Sequence, residues 1–63
     1  MDEIEGLWTP DQVAAYLKVP KETLYRWSYL GIGPKVGRVG KHLRYDPDDV
    51  RAWFEQQKRG AAA

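Results

Sequence analysis

Between Pro20 and Arg44 the chain reads PKETLYRWSYLG and then IGPKVGRVGKHLR, and this junction restricts the fold more than any other stretch. The first part carries a helical pattern from Lys21 to Leu30. Gly31 stands where a helix closes on a left-handed residue, with Ile32 placed to supply the accompanying apolar contact, and Pro34 prevents continuation. The second part holds two short extended runs, Lys35 to Val39 and His42 to Tyr45, around Gly40-Lys41. Glycine there supplies the positive φ that a tight hairpin requires. A helix that passes at once into a small cationic hairpin leaves few architectures open to 63 residues.

The flanking segments supply two more helices. Thr9 is a good N-cap, Pro10 suits the first helical position, and Gln12 sits where a capping box places Glu or Gln. The first helix is expected over Pro10 to Lys18, with Val13, Ala14 and Leu17 as its buried face. Pro20 biases Val19 to an extended conformation, so a turn follows. Asp46-Pro47-Asp48-Asp49 is a second strong helix start, with acids in the first turn. Val50, Trp53, Phe54 and Gln57 recur at i, i+3, i+4, i+7, so Trp53 and Phe54 are expected on the core. Lys58 and Arg59 fall near the helix end, where cations are favourable. The order α-α-β-β-α is mainly α with a small β-hairpin, the pattern of a winged helix-turn-helix. The expected boundaries are an acidic tail over 1–6, one domain over 7–58, and a C-terminal tail over 59–63, in which Gly60 and the alanines that follow read as unstructured.

Faces follow from the same periodicities. On the second helix Leu24, Trp27 and Gly31 cluster on one side, flanked by Thr23 and Ser28. Lys21, Glu22, Tyr25, Arg26 and Tyr29 cluster on the other. The two tyrosines either cover core edges or reach phosphates and base edges through their hydroxyls. In the hairpin Val36, Val39, Leu43 and Tyr45 are expected inward, and Arg38, Lys41, His42 and Arg44 outward.

Charge separates these segments. Met1 to Leu17 carries Asp2, Glu3, Glu5 and Asp11 with no base, a net −4. Lys18 to Tyr45 carries seven Lys/Arg against Glu22, a net +6, and the remainder carries −1. The whole-chain +1 hides this asymmetry, which points to a polyanionic partner. A helix fits a DNA major groove, and a basic hairpin can lie beside it on the backbone or in the minor groove. Lys21 and Arg26 supply charge, and Arg26 can alternatively read guanine bidentately.

Other classes of function find little support. A chain this short buries roughly 60% of its unfolded surface and leaves little room for an enclosed substrate pocket. There is no cysteine, hence no disulfide framework, and the eight aromatic rings must supply the core. No apolar run is long enough to cross a bilayer and no signal peptide is visible, so a cytoplasmic location is expected. His42 and Ser28 are the only residues of their types and form no catalytic pattern. The acids from Asp46 to Asp49 match no metal loop and are accounted for by capping. No catalytic residue, metal or cofactor is implied.

The text from Leu7 to Gln56, LWTPDQVAAYLKVPKETLYRWSYLGIGPKVGRVGKHLRYDPDDVRAWFEQ, resembles the small winged helix-turn-helix domains of the excisionase and MerR-like superfamily. The matching pieces are Thr9 with Ala14-Ala15, then Thr23, Tyr25 and Arg26 ending at Gly31. Gly37-Arg38 and Arg44-Tyr45 follow, and then Asp49-Val50 with Trp53. The resemblance implies a recognition helix that contacts DNA through Lys21, Thr23, Tyr25, Arg26 and Tyr29. It implies a wing that contacts DNA through Arg38, Lys41, His42 and Arg44. Pro20 stands where many relatives place a Ser or Thr cap, which leaves the helix start to phosphate or water. The chain ends shortly after its last helix, without the long dimerisation helix of MerR-type regulators. That departure makes it most like a phage excisionase, or recombination directionality factor. Such proteins bind adjacent sites as neighbouring copies, bend double-stranded DNA and help a site-specific integrase to excise a prophage, in the bacterial cytoplasm and on the nucleoid. The alternatives are a small MerR-like or prophage transcription regulator of the same fold, and a protein-interaction module of the kind that serves a packaging terminase.

Overall fold

The computed structural model describes residues 6–61. They form α1 (Pro10–Leu17), α2 (Lys21–Leu30), β1 (Gly37–Val39), β2 (His42–Arg44) and α3 (Pro47–Ala61). The order is the expected α-α-β-β-α, three helices and one antiparallel hairpin. Of the acidic segment expected over 1–6, only Gly6 lies among the described residues; Ala62 and Ala63 also lie outside them.

Local chemistry sets most of the element ends. The Thr9 hydroxyl accepts from the Gln12 amide at 3.2 Å, and Gln12 Oε1 accepts from the Thr9 amide at 2.8 Å. This reciprocal pair satisfies two donors at the start of α1. At the start of α3 the Asp46 carboxylate accepts from the Asp48 amide at 2.9 Å. At the end of α2 Gly31 adopts φ 77°, and the amides of Gly31 and Ile32 return to the carbonyls of Ser28 and Trp27. These paired bonds fill acceptors that a helix end leaves open.

Four details depart from the sequence expectations. First, α1 stops at Leu17, because Lys18 itself takes the left-handed conformation at φ 61°. Its amide and that of Val19 both reach the Ala14 carbonyl, which offsets the strain of a side chain in that region. Second, the strands are shorter than expected. Lys35 and Val36 lie outside the ladder, and Tyr45 pairs with Trp8 instead of extending β2. Third, Val39 is 56% exposed and Phe54 41% exposed, although both were expected inward. Val39 pairs with His42 and so falls on the opposite hairpin face from Leu43, and Phe54 sits at the edge of the apolar hollow lined by Leu17, Trp27 and Trp53. Fourth, α3 continues through Arg59 and Gly60 to Ala61, so Gly60 and Ala61, expected to be unstructured, are helical. A glycine in a helix costs only about 1 kcal/mol against alanine, too little to stop a helix by itself.

The core is small. Val13, Leu24 and Val50 have no exposure, Ala14 and Tyr45 join them, and Trp8, Leu17, Val19, Trp27 and Val36 pack around the cluster. Pro10, Pro34 and Pro47 are also buried. Proline has no backbone N–H, so its burial strands no donor. Aromatic pairs extend the core outward. Trp27 meets Trp53 with ring centroids 5.3 Å apart at 47°, and Trp8 meets Tyr16 at 5.3 Å and 49°. Both are tilted arrangements that ring quadrupoles favour.

Gly33 ties the loop after α2 to this aromatic layer. Its φ is 84°, and a Cβ there would lie 3.0 Å from Trp27 Cε3 and 3.1 Å from Trp27 Cβ. Gly31 has a similar φ but open space around it. Gly31→Ala is therefore expected to cost about 1 kcal/mol, lowering Tm by about 4–8 °C. Gly33→Ala must also displace an indole and is expected to lower Tm clearly further; equal losses in thermal melts would contradict the Trp27 contact. Lys18→Gly is expected to raise Tm by about 3 °C, strain relief outweighing the added freedom of the unfolded chain. An unchanged or lower Tm would count against strain at Lys18.

Candidate nucleic-acid interface

Helix α2 presents one packed side and one open side. Leu24 is fully buried and Trp27 half-buried, so Tyr25, Arg26 and Tyr29 occupy the other part of the helical circle. Tyr29 is 91% exposed and covers no core edge. Tyr25 is about half exposed, and its phenol lies within electrostatic reach of both Lys21 and Tyr45. Tyr25 thus belongs to the accessible surface of the helix rather than to the layer packed on the core. The arginine beside it, Arg26, is exposed and has no side-chain partner among the described residues. Thr23 is half-buried, with its amide donating to the Pro20 carbonyl at 3.0 Å.

The start of α2 has no side-chain cap, as proline at position 20 requires. Its first amides therefore face outward with the positive end of the helix dipole. Lys21 stands at this start, but it is not a free cation. Its ammonium lies 3.1 Å from the carboxylate of Asp11, in the first turn of α1. The hydrogen bond to Asp11 is the main cause that raises the Lys21 pKa, followed by the Asp11 charge. Sequence reasoning gave Lys21 to the interface and counted Asp11 only among the acids of the N-terminal stretch; it missed that packing of α1 on α2 pairs them.

The hairpin register decides where the wing bases point. Gly37 pairs with Arg44, Arg38 with Leu43, and Val39 with His42. Directly paired residues share a face, and neighbours alternate. Arg38 and Leu43 therefore lie on one face, and Val39, His42 and Arg44 on the other. The four wing residues do not form one surface. Arg38, Lys41 and His42 are exposed, and no partner holds them among the described residues. Arg44 is half-buried and donates from its guanidinium to the Leu43 carbonyl at 2.6 Å. Lys41 occupies the turn. Gly40 has φ 65° and Lys41 does not have a positive φ, so the left-handed residue sits at the first central position, the type II′ arrangement.

At the base of the hairpin, Tyr45 is 2% exposed, and burial raises the pKa of its phenol, with Tyr25 adding to the effect. The acids near α3 are engaged locally. Asp46 caps the helix and Asp48 lies 3.4 Å from Arg51. Among the described residues no three His, Asp or Glu side chains gather as a metal site. No helix among them is long and apolar enough to cross a membrane.

Comparison with known sequences bears directly on this architecture. Residues 9–58 match the pattern of a helix-turn-helix domain family, a span that begins at the Thr9 cap and ends within α3. Neither the curated proteins nor the solved structures give a match. The matched span takes in both helices, the turn between them and the hairpin, and the chain belongs to this helix-turn-helix family, whose members bind DNA.

Proposed function

We propose that the domain is an excisionase, a recombination directionality factor that binds double-stranded DNA with α2 in the major groove and the hairpin beside it. The observation that carries this reading is the +6 segment from Lys18 to Tyr45, in which Arg26, Arg38, Lys41 and His42 are exposed with no protein partner among the described residues. Lys21, Thr23, Tyr25, Arg26 and Tyr29 form the helical part of the proposed contact, and Arg38, Lys41, His42 and Arg44 the wing part. The uncapped start of α2 suits a phosphate, and Arg26 suits a guanine edge or a second phosphate.

Size supports the architectural role. A module of this kind buries roughly 600–1,000 Å² on DNA and reads few base pairs. Useful specificity then comes from copies bound side by side, or from an integrase already on the DNA. In the proposed role the protein bends its site, does no strand chemistry, and acts in the cytoplasm of a bacterial host on prophage DNA. With about five phosphates neutralised, log K should fall with log salt at a slope of about −4.5.

Arg26→Ala and Arg38→Ala should each weaken DNA binding by about 5- to 100-fold in gel-shift titrations while leaving Tm unchanged. Unchanged affinity in both variants would remove α2 and the wing as the DNA face. On the attachment region of the host element, footprinting should show protected repeats beside integrase sites, and complexes should appear stepwise and cooperatively. Protection confined to a promoter would instead favour a transcription regulator of the same fold. Permuted bend-site fragments should migrate differently in the complex; uniform mobility would argue against bending.

A further inference from the structure

The Asp11–Lys21 pair places an acid at the proposed DNA face, and the recognition helix alone does not explain it. Lys21 is the first residue of α2, Asp11 lies in the first turn of α1, and their charged atoms are 3.1 Å apart. Both side chains are well exposed. No side chain caps the start of α2. Phosphate and the Asp11 carboxylate therefore compete for the same ammonium.

We infer that Asp11 is an internal competitor of the DNA backbone, a positioning residue that holds Lys21 at the start of α2 and lowers the affinity of the domain for any duplex. The inference rests on the DNA-binding reading above. When Lys21 turns to a phosphate, it leaves Asp11 beside the polyanion without its partner. The released carboxylate then repels the DNA it faces and cancels about one phosphate neutralisation. The acid thereby sets the affinity uniformly, because phosphate contacts carry no sequence information.

The test is fluorescence anisotropy with a labelled, mixed-sequence duplex of about two helical turns. Asp11→Asn should tighten binding by about two- to threefold at low salt, the scale of one unit charge several ångströms from a phosphate in water. The slope of log K against log salt should steepen by about 0.9. Asp11→Glu, which keeps the charge, should bind as the parent does. In a Lys21→Gln background the same Asp11→Asn change should give a smaller gain, since the carboxylate still repels the duplex but no ammonium remains to be released. Equal gains in the two backgrounds would reduce Asp11 to a bare charge and overturn the inference. Weaker binding by Asp11→Asn with Tm unchanged would overturn it in the other direction. If Tm falls, the salt slope still decides, because loss of folded protein lowers the active fraction without changing that slope. Should Arg26→Ala and Arg38→Ala bind normally as well, the DNA face itself is wrong; should they fail to bind while Asp11→Asn stays at the parental value, only the role of Asp11 is lost.

Discussion

Two backbone hydrogen bonds between Trp8 and Tyr45, at 2.7 and 2.9 Å, hold the structure together where its parts converge. A hairpin with strands of three residues is marginal by itself. Here Tyr45 follows β2 directly, fills the core with its ring, and is locked to the segment that enters α1. Trp8 in turn packs at a tilt against Tyr16 and lies under the Arg51 guanidinium at 5.3 Å. Since α3 begins two residues after Tyr45, one short bridge positions the start of α1, the base of the hairpin and the start of α3. Without it the hairpin would be tied to α2 only through the loop at Gly33 and the packing of Val36.

The second constraint is the tight passage from α1 to α2. Lys18, Val19 and Pro20 are the whole connection. Lys18 accepts a left-handed conformation so that its amide and the next can close on Ala14, and Pro20 then opens α2 with no side-chain cap. On the far side Gly33 lies against Trp27, which fixes the loop leading into the hairpin. Both ends of α2 are thus set by backbone geometry rather than by side-chain bonds. Apart from the Lys21 ion pair with Asp11, its polar face is free of structural duties.

What could be read in advance follows the range of the interactions. Thr9 with Gln12, Asp46 and Gly31 act within a few residues of themselves, and their effects were legible in the sequence. The open side of α2 was legible too, because burial of Leu24 fixes the opposite positions through the helical period. Lys18 was not, since a left-handed closing residue is ordinarily glycine. Neither were the Trp8–Tyr45 bridge and the Asp11–Lys21 pair, which join positions far apart in the chain. Val39 and Phe54 show a further limit. Val39 falls on the face opposite Leu43 because the register pairs it with His42, and Phe54 lies where a small core does not reach it. The wing was legible as a set of bases, but their division between two faces depends on a register that the type II′ turn sets.

That division shapes what the hairpin can meet. Arg38 on one face and His42 with Arg44 on the other make a thin ribbon that is polar on both sides, with Lys41 at its tip. A flat surface would engage only one of those faces. A cleft with acidic walls on either side, such as a narrow minor groove between its two phosphate rows, could be met edgewise by both at once. On the proposed reading the wing is therefore a blade rather than a pad, and its fit to DNA would depend on groove width more than on base identity.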